Sequence, residues 1–252
     1  MRPRSAERSA RLVRRVAVYG ALAVVLAGIV WARRPLWRTA VTGTALAAGT
    51  HTPTVEGALT AYRAASKARF FPKCKAVGIA YPPRRVTLIV LKEEKRLEVW
   101  GANGRGLYRR LAVYEILAAS GTGGPKRKEG DRQVPEGFYR ISALNPASQF
   151  HLSLRVDYPN AEDVAHRTVE RRALGGDIYV HGGAASIGCV ALGDPAIEEV
   201  FCLVAQAAPR ERRILLTPFD LRLRQNIPSA SDPWVRGLYS RLGRTLRDQY
   251  PA

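Results

Sequence analysis

The sequence predicts a mainly β domain with a few helices, built as a sandwich or barrel of mostly antiparallel strands, behind one N-terminal transmembrane helix. Three observations lead to this prediction. Short runs rich in β-branched residues follow residue 85, turn residues separate these runs, and a long apolar run lies near the start of the chain. With 252 residues, of which 46% are hydrophobic, the chain can bury a sizeable core.

The apolar run VAVYGALAVVLAGIVWA occupies residues 16–32. As a helix it rises about 25 Å, close to the minimum for crossing a hydrocarbon core. Six arginines precede it, opposed by Glu7 alone. This bias predicts a basic cytoplasmic tail at 1–15, a single-pass signal anchor at 16–32, and an exported domain. The alternatives are a signal peptide cleaved near 45–47 and a buried core helix.

The rest of the chain divides into three predicted parts. Residues 33–85 form a juxtamembrane segment that is partly helical and ends at the proline pair of YPPRR. The main domain, 86–218, begins with a hairpin formed by RVTLIVLK and RLEVWG, and a strand in LYRRLAVYEIL follows. Residues 120–137 contain five glycines and two prolines, which predicts a long loop and a candidate rim of a substrate cleft.

After this loop, FYRISAL and FHLSLRV are predicted strands, and AEDVAHRTVERRAL is a polar helix or a structured excursion. DIYVHG is a strand that ends at His181. An amphipathic helix follows Cys189, with Asp194 as its cap, and RRILLTPF is a last strand. Residues 219–252 are predicted to be a C-terminal helical extension that docks on the domain.

The charge of the chain raises the question of an anionic partner. The net charge of +19 comes from 33 arginines and 7 lysines, against 21 acidic residues. Nine of the arginines lie in the first 38 residues around the apolar run, and no nucleic-acid-binding signature accompanies the others. We therefore predict no nucleic-acid partner, whereas a partner rich in carboxylates or phosphates fits the charge.

The segment HGGAASIGC places a histidine, His181, eight positions before a cysteine, Cys189. A fully extended connection would separate them by about 26 Å, so the chain must fold back for them to meet. Gly182, Gly183 and Gly188 permit this, because glycine tolerates positive φ. A thiolate is a nucleophile that a nearby imidazolium stabilises. The backbone N–H groups of Ile187, Gly188 and Cys189 are predicted to lie where they could bind an oxyanion.

Structural roles without catalysis remain alternatives for these residues. Ser186 either bonds to His181 or the substrate, or is only a turn residue. A buried structural cysteine beside a satisfied histidine is an alternative to the reactive pair, and Cys202 is expected to pack in this way. With three cysteines, at least one thiol is free or pairs with another molecule. We predict no metal and no cofactor, because the remaining candidate ligands lack ligand spacing: Asp177, Asp194, His151 and His166.

Several segments occur together and in order between about 86 and 218: VTLIVLKEEKRLEVW, GTGGPKRKEGDRQVPEGFYRIS, LNPASQFHLSLRVDYPN, YVHGGAASIGCVAL and DPAIEEVF. This pattern resembles the L,D-transpeptidase catalytic domain, the YkuD-type cysteine transpeptidases of bacterial cell walls, and within it the murein L,D-transpeptidase YafK-like branch. The resemblance implies a β-rich fold that acts on peptidoglycan stem peptides, with Cys189 as nucleophile and His181 as base. Ser186 and Gly188 match turn positions of the motif.

The resemblance also implies the reaction. The thiolate attacks the carbonyl of the third stem-peptide residue, and the acyl group then passes to an amine, as in transpeptidation, or to water. The alternatives are a hydrolase that releases a peptidoglycan-linked lipoprotein or trims stem peptides, and a non-catalytic wall-binding protein. The wider family has a histidine and an arginine where this chain has Ile187 and Ala191. Substrate contacts are then expected from Gly182, Gly183 and Arg155, with Arg171 and Arg172 as further candidates.

Overall fold

The computed structural model describes residues 53–104, 106–224 and 232–251. The predicted cytoplasmic tail at 1–15 and the predicted membrane anchor at 16–32 lie outside the described residues. Within the described ranges, no helix combines the length and the apolar character that a membrane span requires.

Four helices and nine strands make up the described part of the chain, apart from two short 3-10 segments. The helices are α1 Val55–Ala76, α2 Ala161–Ala165, α3 Asp194–Gln206 and α4 Pro233–Gln249. The strands are β1 Arg85–Leu91, β2 Arg96–Ala102, β3 Arg109–Glu115, β4 Ala118–Ala119, β5 Gly137–Ser148, β6 His151–Val156, β7 Tyr179–His181, β8 Val190–Ala191 and β9 Arg212–Thr217.

The strands form one continuous sheet in the order β3-β2-β1-β9-β5-β6-β7-β8-β4. The pairs β1/β9 and β7/β8 are parallel and the other pairs are antiparallel. The mainly β class with a few helices is therefore confirmed, but the sheet is an open half-barrel instead of a sandwich or closed barrel. The reason is β5, which pairs with β9 over 137–140 and with β6 over 141–148, so that it joins both halves of the sheet.

Helices cover both faces of the central strands. On one face, Leu88 of β1 belongs to a core that includes Phe70 of α1 and Phe201 of α3. On the other face, Ile89 belongs to a second core that includes Leu242 of α4. Because successive strand residues point to opposite faces, β1 is buried along almost its whole length and shows no alternation of polar and apolar residues.

Helix α1 lies within the residues predicted to be a juxtamembrane segment. Its side chains Phe70 and Cys74 are fully buried, and Ser66 donates a hydrogen bond of 2.9 Å to the Glu199 carbonyl of α3. These contacts make α1 part of the folded unit that carries the sheet.

Of the two alternatives predicted for residues 161–174, the structure has the structured excursion: α2 ends at Ala165, and a 3-10 segment, Arg171–Leu174, follows. One local prediction needs correction. Asp194 is the first residue of α3 and does not cap it, because the capping position belongs to Gly193, whose φ of 80° suits glycine. The Asp194 carboxylate is thereby free to bind elsewhere.

Candidate active site

His181 and Cys189 project from the same face of the sheet. In the parallel pair β7/β8, Val180 is opposite Val190 and His181 is opposite Ala191. Paired residues share a face and successive residues alternate, so His181 and Cys189, which directly precedes β8, are diagonal neighbours on one face. Val180 and Val190 point the other way, into the core.

The imidazole of His181 is held in one orientation. It is 2% exposed, its Nδ1 lies 2.6 Å from the Gly182 carbonyl oxygen, and its ring packs at 4.6 Å on that of Phe150. A carbonyl can only accept, so Nδ1 carries the proton and Nε2 is the nitrogen that can accept one. Burial lowers the pKa of His181, with the Gly182 carbonyl opposing this effect, so the ring is neutral at neutral pH.

The half-buried thiol of Cys189 donates a hydrogen bond of 3.5 Å to the Asp177 carbonyl. Among the described residues, this thiol forms no hydrogen bond with the ring of His181. Burial raises the pKa of Cys189, the backbone N–H of Tyr179 and the Lys126 ammonium lower it, and the Asp177 carboxylate raises it. The pKa of the thiol is raised on balance, so an imidazolium does not lower it as the sequence led us to expect: thiol and imidazole are both neutral at rest.

The glycine pair after His181 is required by packing. A Cβ on Gly182 would lie 2.5 Å from Asp194 Oδ1 and 2.7 Å from the Phe150 carbonyl oxygen. The next residue, Gly183, has a φ of 66° and donates its N–H to Asp194 Oδ1 at 2.8 Å. Both glycines, predicted as substrate contacts, therefore contact the protein itself at the start of α3.

Two backbone hydrogen bonds close the base of the loop. Leu192 donates to the His181 carbonyl and Gly193 donates to the Gly183 carbonyl, each at 2.9 Å. The loop thus leaves and returns at the same place, and the returning chain carries Cys189 back beside His181.

Serine hydroxyls engage the backbone next to the thiol. Ser186 does not bond to His181; its Oγ accepts the Cys189 N–H at 3.0 Å. The N–H of Gly188, predicted as an oxyanion donor, is engaged elsewhere in this structure: the residue has a φ of 89°, and its N–H donates at 2.6 Å to Oγ of Ser120. Sequence reasoning missed Ser120, which stands 68 positions before Gly188 and carries no local signal of this contact.

A buried cation also escaped the sequence analysis. Lys126 is 7% exposed and donates to Asp131 Oδ1 at 2.7 Å and to the Lys128 carbonyl at 2.8 Å. The Asp131 carboxylate also accepts three backbone N–H groups. Burial raises the pKa of Asp131, but these bonds outweigh it and the pKa is lowered, so this carboxylate is ionised at neutral pH. The motif KRKEGD thus places a positive charge close enough to influence Cys189.

Among the arginines considered as substrate contacts, Arg155 lies on the site face. It is opposite Tyr179 in the β6/β7 register, and its guanidinium lies 3.7 Å from the exposed carboxylate of Asp177. Arg171 and Arg172 lie in the exposed 3-10 segment, where Arg172 pairs with Glu170 at 3.2 Å. The strand register therefore places Arg155 on the face that carries the thiol, with its charge partly offset by Asp177.

The rim of the site is apolar. Ile187 is 77% exposed, Leu117 is 47% exposed and Phe150 is 46% exposed. Leu117 donates its N–H to the Ala191 carbonyl at 2.9 Å, while Phe150 covers His181. Large exposed apolar side chains grouped on one surface are typical of a binding surface.

The two other described histidines are engaged away from the thiol. His151 Nε2 lies 2.7 Å from Glu198 Oε1, and the His166 ring stacks on Trp234 at 4.9 Å. Neither His151 nor His166 is placed by these contacts to complete a site with His181 and Cys189.

The model of the L,D-transpeptidase catalytic domain, YkuD, matches residues 84–211. The chain belongs to the L,D-transpeptidase catalytic domain family. It is 36% identical over 124 residues to the "Putative L,D-transpeptidase YafK" of Escherichia coli K12, and equally so to that of strain O157:H7, covering 48% of this chain and 48% of each relative. The chain thus spans about half the length of the curated relatives it matches.

Among solved structures, the helical cell shape determining protein Pgp2 from Campylobacter jejuni is similar, with a TM-score of 0.42 and 26% identity, covering 55% of this chain and 48% of that one. Bd1075 of Bdellovibrio bacteriovorus has a TM-score of 0.39 and 21% identity, covering 67% of this chain and 57% of that one.

Proposed function

We propose that this chain is a cysteine acyltransferase acting on peptidoglycan stem peptides, that is, an L,D-transpeptidase, with Cys189 as nucleophile and His181 as general base. One observation carries the proposal. In a chain of this family, His181 and Cys189 stand on one sheet face at diagonal positions of paired strands, and Nε2 of the histidine can accept a proton.

The reaction follows from these roles. The Cys189 thiol turns from the Asp177 carbonyl and gives its proton to Nε2 of His181. Sulfur attacks the stem-peptide carbonyl carbon, a C–S bond forms, and the amide C–N bond breaks as the imidazolium returns its proton to the leaving amine. An incoming amine then attacks the thioester, its proton passes to His181, and the C–S bond breaks to release the thiol.

The protein's own groups support this chemistry. The Cys189 N–H can donate to the oxyanion once the Ser186 hydroxyl rotates away from it. Arg155 can attract a substrate carboxylate from β6, while Gly182 and Gly183 bring the Phe150 and Asp194 contacts that fix the loop beside the site.

A hydrolase using the same thioester is a second candidate function. The apolar rim favours it, because Ile187, Leu117 and Phe150 offer no charge to a free substrate carboxylate, and Asp177 offsets Arg155. Water in place of the amine would trim stem peptides or release a peptidoglycan-linked lipoprotein.

A wall-binding protein without catalysis is a third candidate. The raised pKa of Cys189 favours it, as does the net charge of +19, which suits anionic wall polymers. In all three cases we propose that residues 16–32 anchor the chain in the inner membrane, with 1–15 in the cytoplasm and the domain in the periplasm or cell envelope. The support is the apolar run and its flanking arginines.

Mass spectrometry of muropeptides tests these proposals. The full chain, in detergent, is incubated with purified tri- and tetrapeptide muropeptides, with and without an added amine acceptor. Loss of the terminal residue with a new amide supports transfer, and a product that gains water supports hydrolysis. Cys189→Ala should abolish either product. Identical product spectra for the wild type and Cys189→Ala would leave wall binding as the surviving proposal.

A further inference from the structure

Ser120 connects two segments that meet beside the candidate nucleophile. It stands at the start of the loop 120–137, and its Oγ accepts the Gly188 N–H at 2.6 Å. The same hydroxyl donates its proton to the Arg132 carbonyl at 2.8 Å. Because the hydroxyl donates to the Arg132 carbonyl and accepts from the Gly188 N–H, these two bonds fix its orientation.

We infer that Ser120 is a positioning residue, which holds Gly188 so that the adjacent Cys189 N–H points at the substrate carbonyl oxygen. This inference rests on the proposed acyl transfer. The oxyanion that forms in that reaction needs a donor already in place, because a donor that must reorganise gives up much of its stabilisation.

Gly188 needs such an anchor. It is buried and adopts a φ of 89°. The other side of the residue faces the loop 120–137, since a Cβ there would lie 3.5 Å from the Gln133 carbonyl oxygen. Without the Ser120 hydroxyl, the Gly188 N–H would be a buried donor without an acceptor, and the peptide could turn to find one.

The two serine contacts near the thiol differ in kind. Ser186 reaches the Cys189 N–H from three residues away, within one local turn, and its side chain is half-exposed. It can rotate to leave the N–H to a substrate oxygen. The Ser120 hydroxyl bonds to a residue 68 positions later in the chain and to the Arg132 carbonyl. It therefore fixes the loop, whereas the Ser186 side chain can rotate away.

Two reactions of the same thiol separate positioning from general damage. Alkylation by iodoacetamide needs a thiolate but develops no oxyanion, whereas acyl transfer needs both. Substitution of a residue that acts through the backbone donor should therefore lower the rate of acyl transfer and leave the rate of alkylation unchanged.

The experiment compares Ser120→Ala, Ser120→Thr and the matched control Thr122→Ala in the full chain. Thr122 lies in the same loop, and its hydroxyl is 3.4 Å from Gln133 Nε2 instead of Gly188. For Ser120→Ala we expect kcat on muropeptides to fall about tenfold to a hundredfold. KM for muropeptides and the rate of Cys189 alkylation at each pH should stay within about twofold of the wild-type values. Ser120→Thr, which keeps the hydroxyl, should recover most of kcat.

Amide hydrogen exchange supplies a readout without turnover, because Gly188 should lose protection in Ser120→Ala and keep it in Thr122→Ala. Equal kcat in Ser120→Ala and Thr122→Ala overturns the inference, as does an equal loss of kcat and alkylation in Ser120→Ala. If the wild-type protein turns over no muropeptide, both the proposed function and the role of Ser120 are contradicted. If wild type is active and the variants match it, only the role of Ser120 fails.

Discussion

Asp194, the first residue of α3, accepts a hydrogen bond of 2.8 Å from the backbone N–H of Gly183. The same carboxylate oxygen lies 2.5 Å from where a Cβ on Gly182 would stand. The first residue of α3 therefore packs so closely on the glycine pair that neither can change without the other. This contact holds the loop between His181 and Cys189 on the side of α3.

The first prediction concerns this contact. Gly182→Ala places a methyl group against Asp194 and the Phe150 carbonyl, and we expect it to lower the free energy of unfolding by about 1–3 kcal/mol. Urea unfolding measures the change. Gly176→Ala is the control, since a Cβ there meets nothing within 4 Å. Equal urea midpoints for the two variants would show that the loop yields without cost.

The second prediction concerns Lys126. Its ammonium lowers the pKa of Cys189, so Lys126→Met should raise that pKa and slow alkylation at neutral pH severalfold. The rate at high pH, where the thiol is ionised in both proteins, should not change. The pH dependence of iodoacetamide alkylation is the measurement. Lys128→Met, which removes an exposed charge from the same loop, should follow the wild-type curve; a Lys126→Met curve that does so too contradicts the prediction.

The third prediction concerns Asp163 of α2. Burial raises its pKa to about 6 from 3.8, against hydrogen bonds from Asn160 and Tyr139 that lower it. The folded chain thus holds this proton to a higher pH than the unfolded chain, and stability is lost as the pH rises from about 4 through 6. At about 1.4 kcal/mol per pH unit, the upper limit of the loss is about 3 kcal/mol.

Asp163→Asn removes this titration. We expect the variant to gain stability relative to wild type between pH 4 and pH 7, measured by urea unfolding at both values. A constant difference between the two proteins across this range would rule out the titration. Asp248→Asn, which removes an exposed carboxylate on α4, is the control.

The fourth prediction concerns the three free thiols. Burial raises the pKa of Cys74 and of Cys202 to about 11, and both are fully buried. Cys202 contacts the Ala58 carbonyl, which lies about 24 Å along α1 from Cys74, so these two cannot pair in this fold. Native protein should therefore react with one equivalent of a thiol reagent, unfolded protein with three, and native Cys189→Ser with none. Rapid native labelling of Cys74 or Cys202 would contradict the packing.

Local patterns predicted most of the elements, and long-range contacts account for what they missed. The β1/β2 hairpin, β9 and the buried face of α4 follow from periodicity, because each pattern lies within its own element. The joined sheet depends on which strands pair with β5, a choice that no single strand encodes. The His181/Cys189 pair was predictable since its glycines lie between the two residues. Ser120 and Lys126 come from a distant loop, and only the folded chain brings them to the thiol.

The backbone hydrogen bonds of Leu192 and Gly193, which close the loop, determine where the loop can change in length. Residues 184–187 lie beyond this closure, so added residues there would lengthen the excursion without moving the strands that carry His181 and Cys189. Doubling a flexible loop costs only about 0.6 kcal/mol of closure entropy. Insertions at this place are therefore a tolerable way to reshape what approaches the thiol while the two strands keep their register.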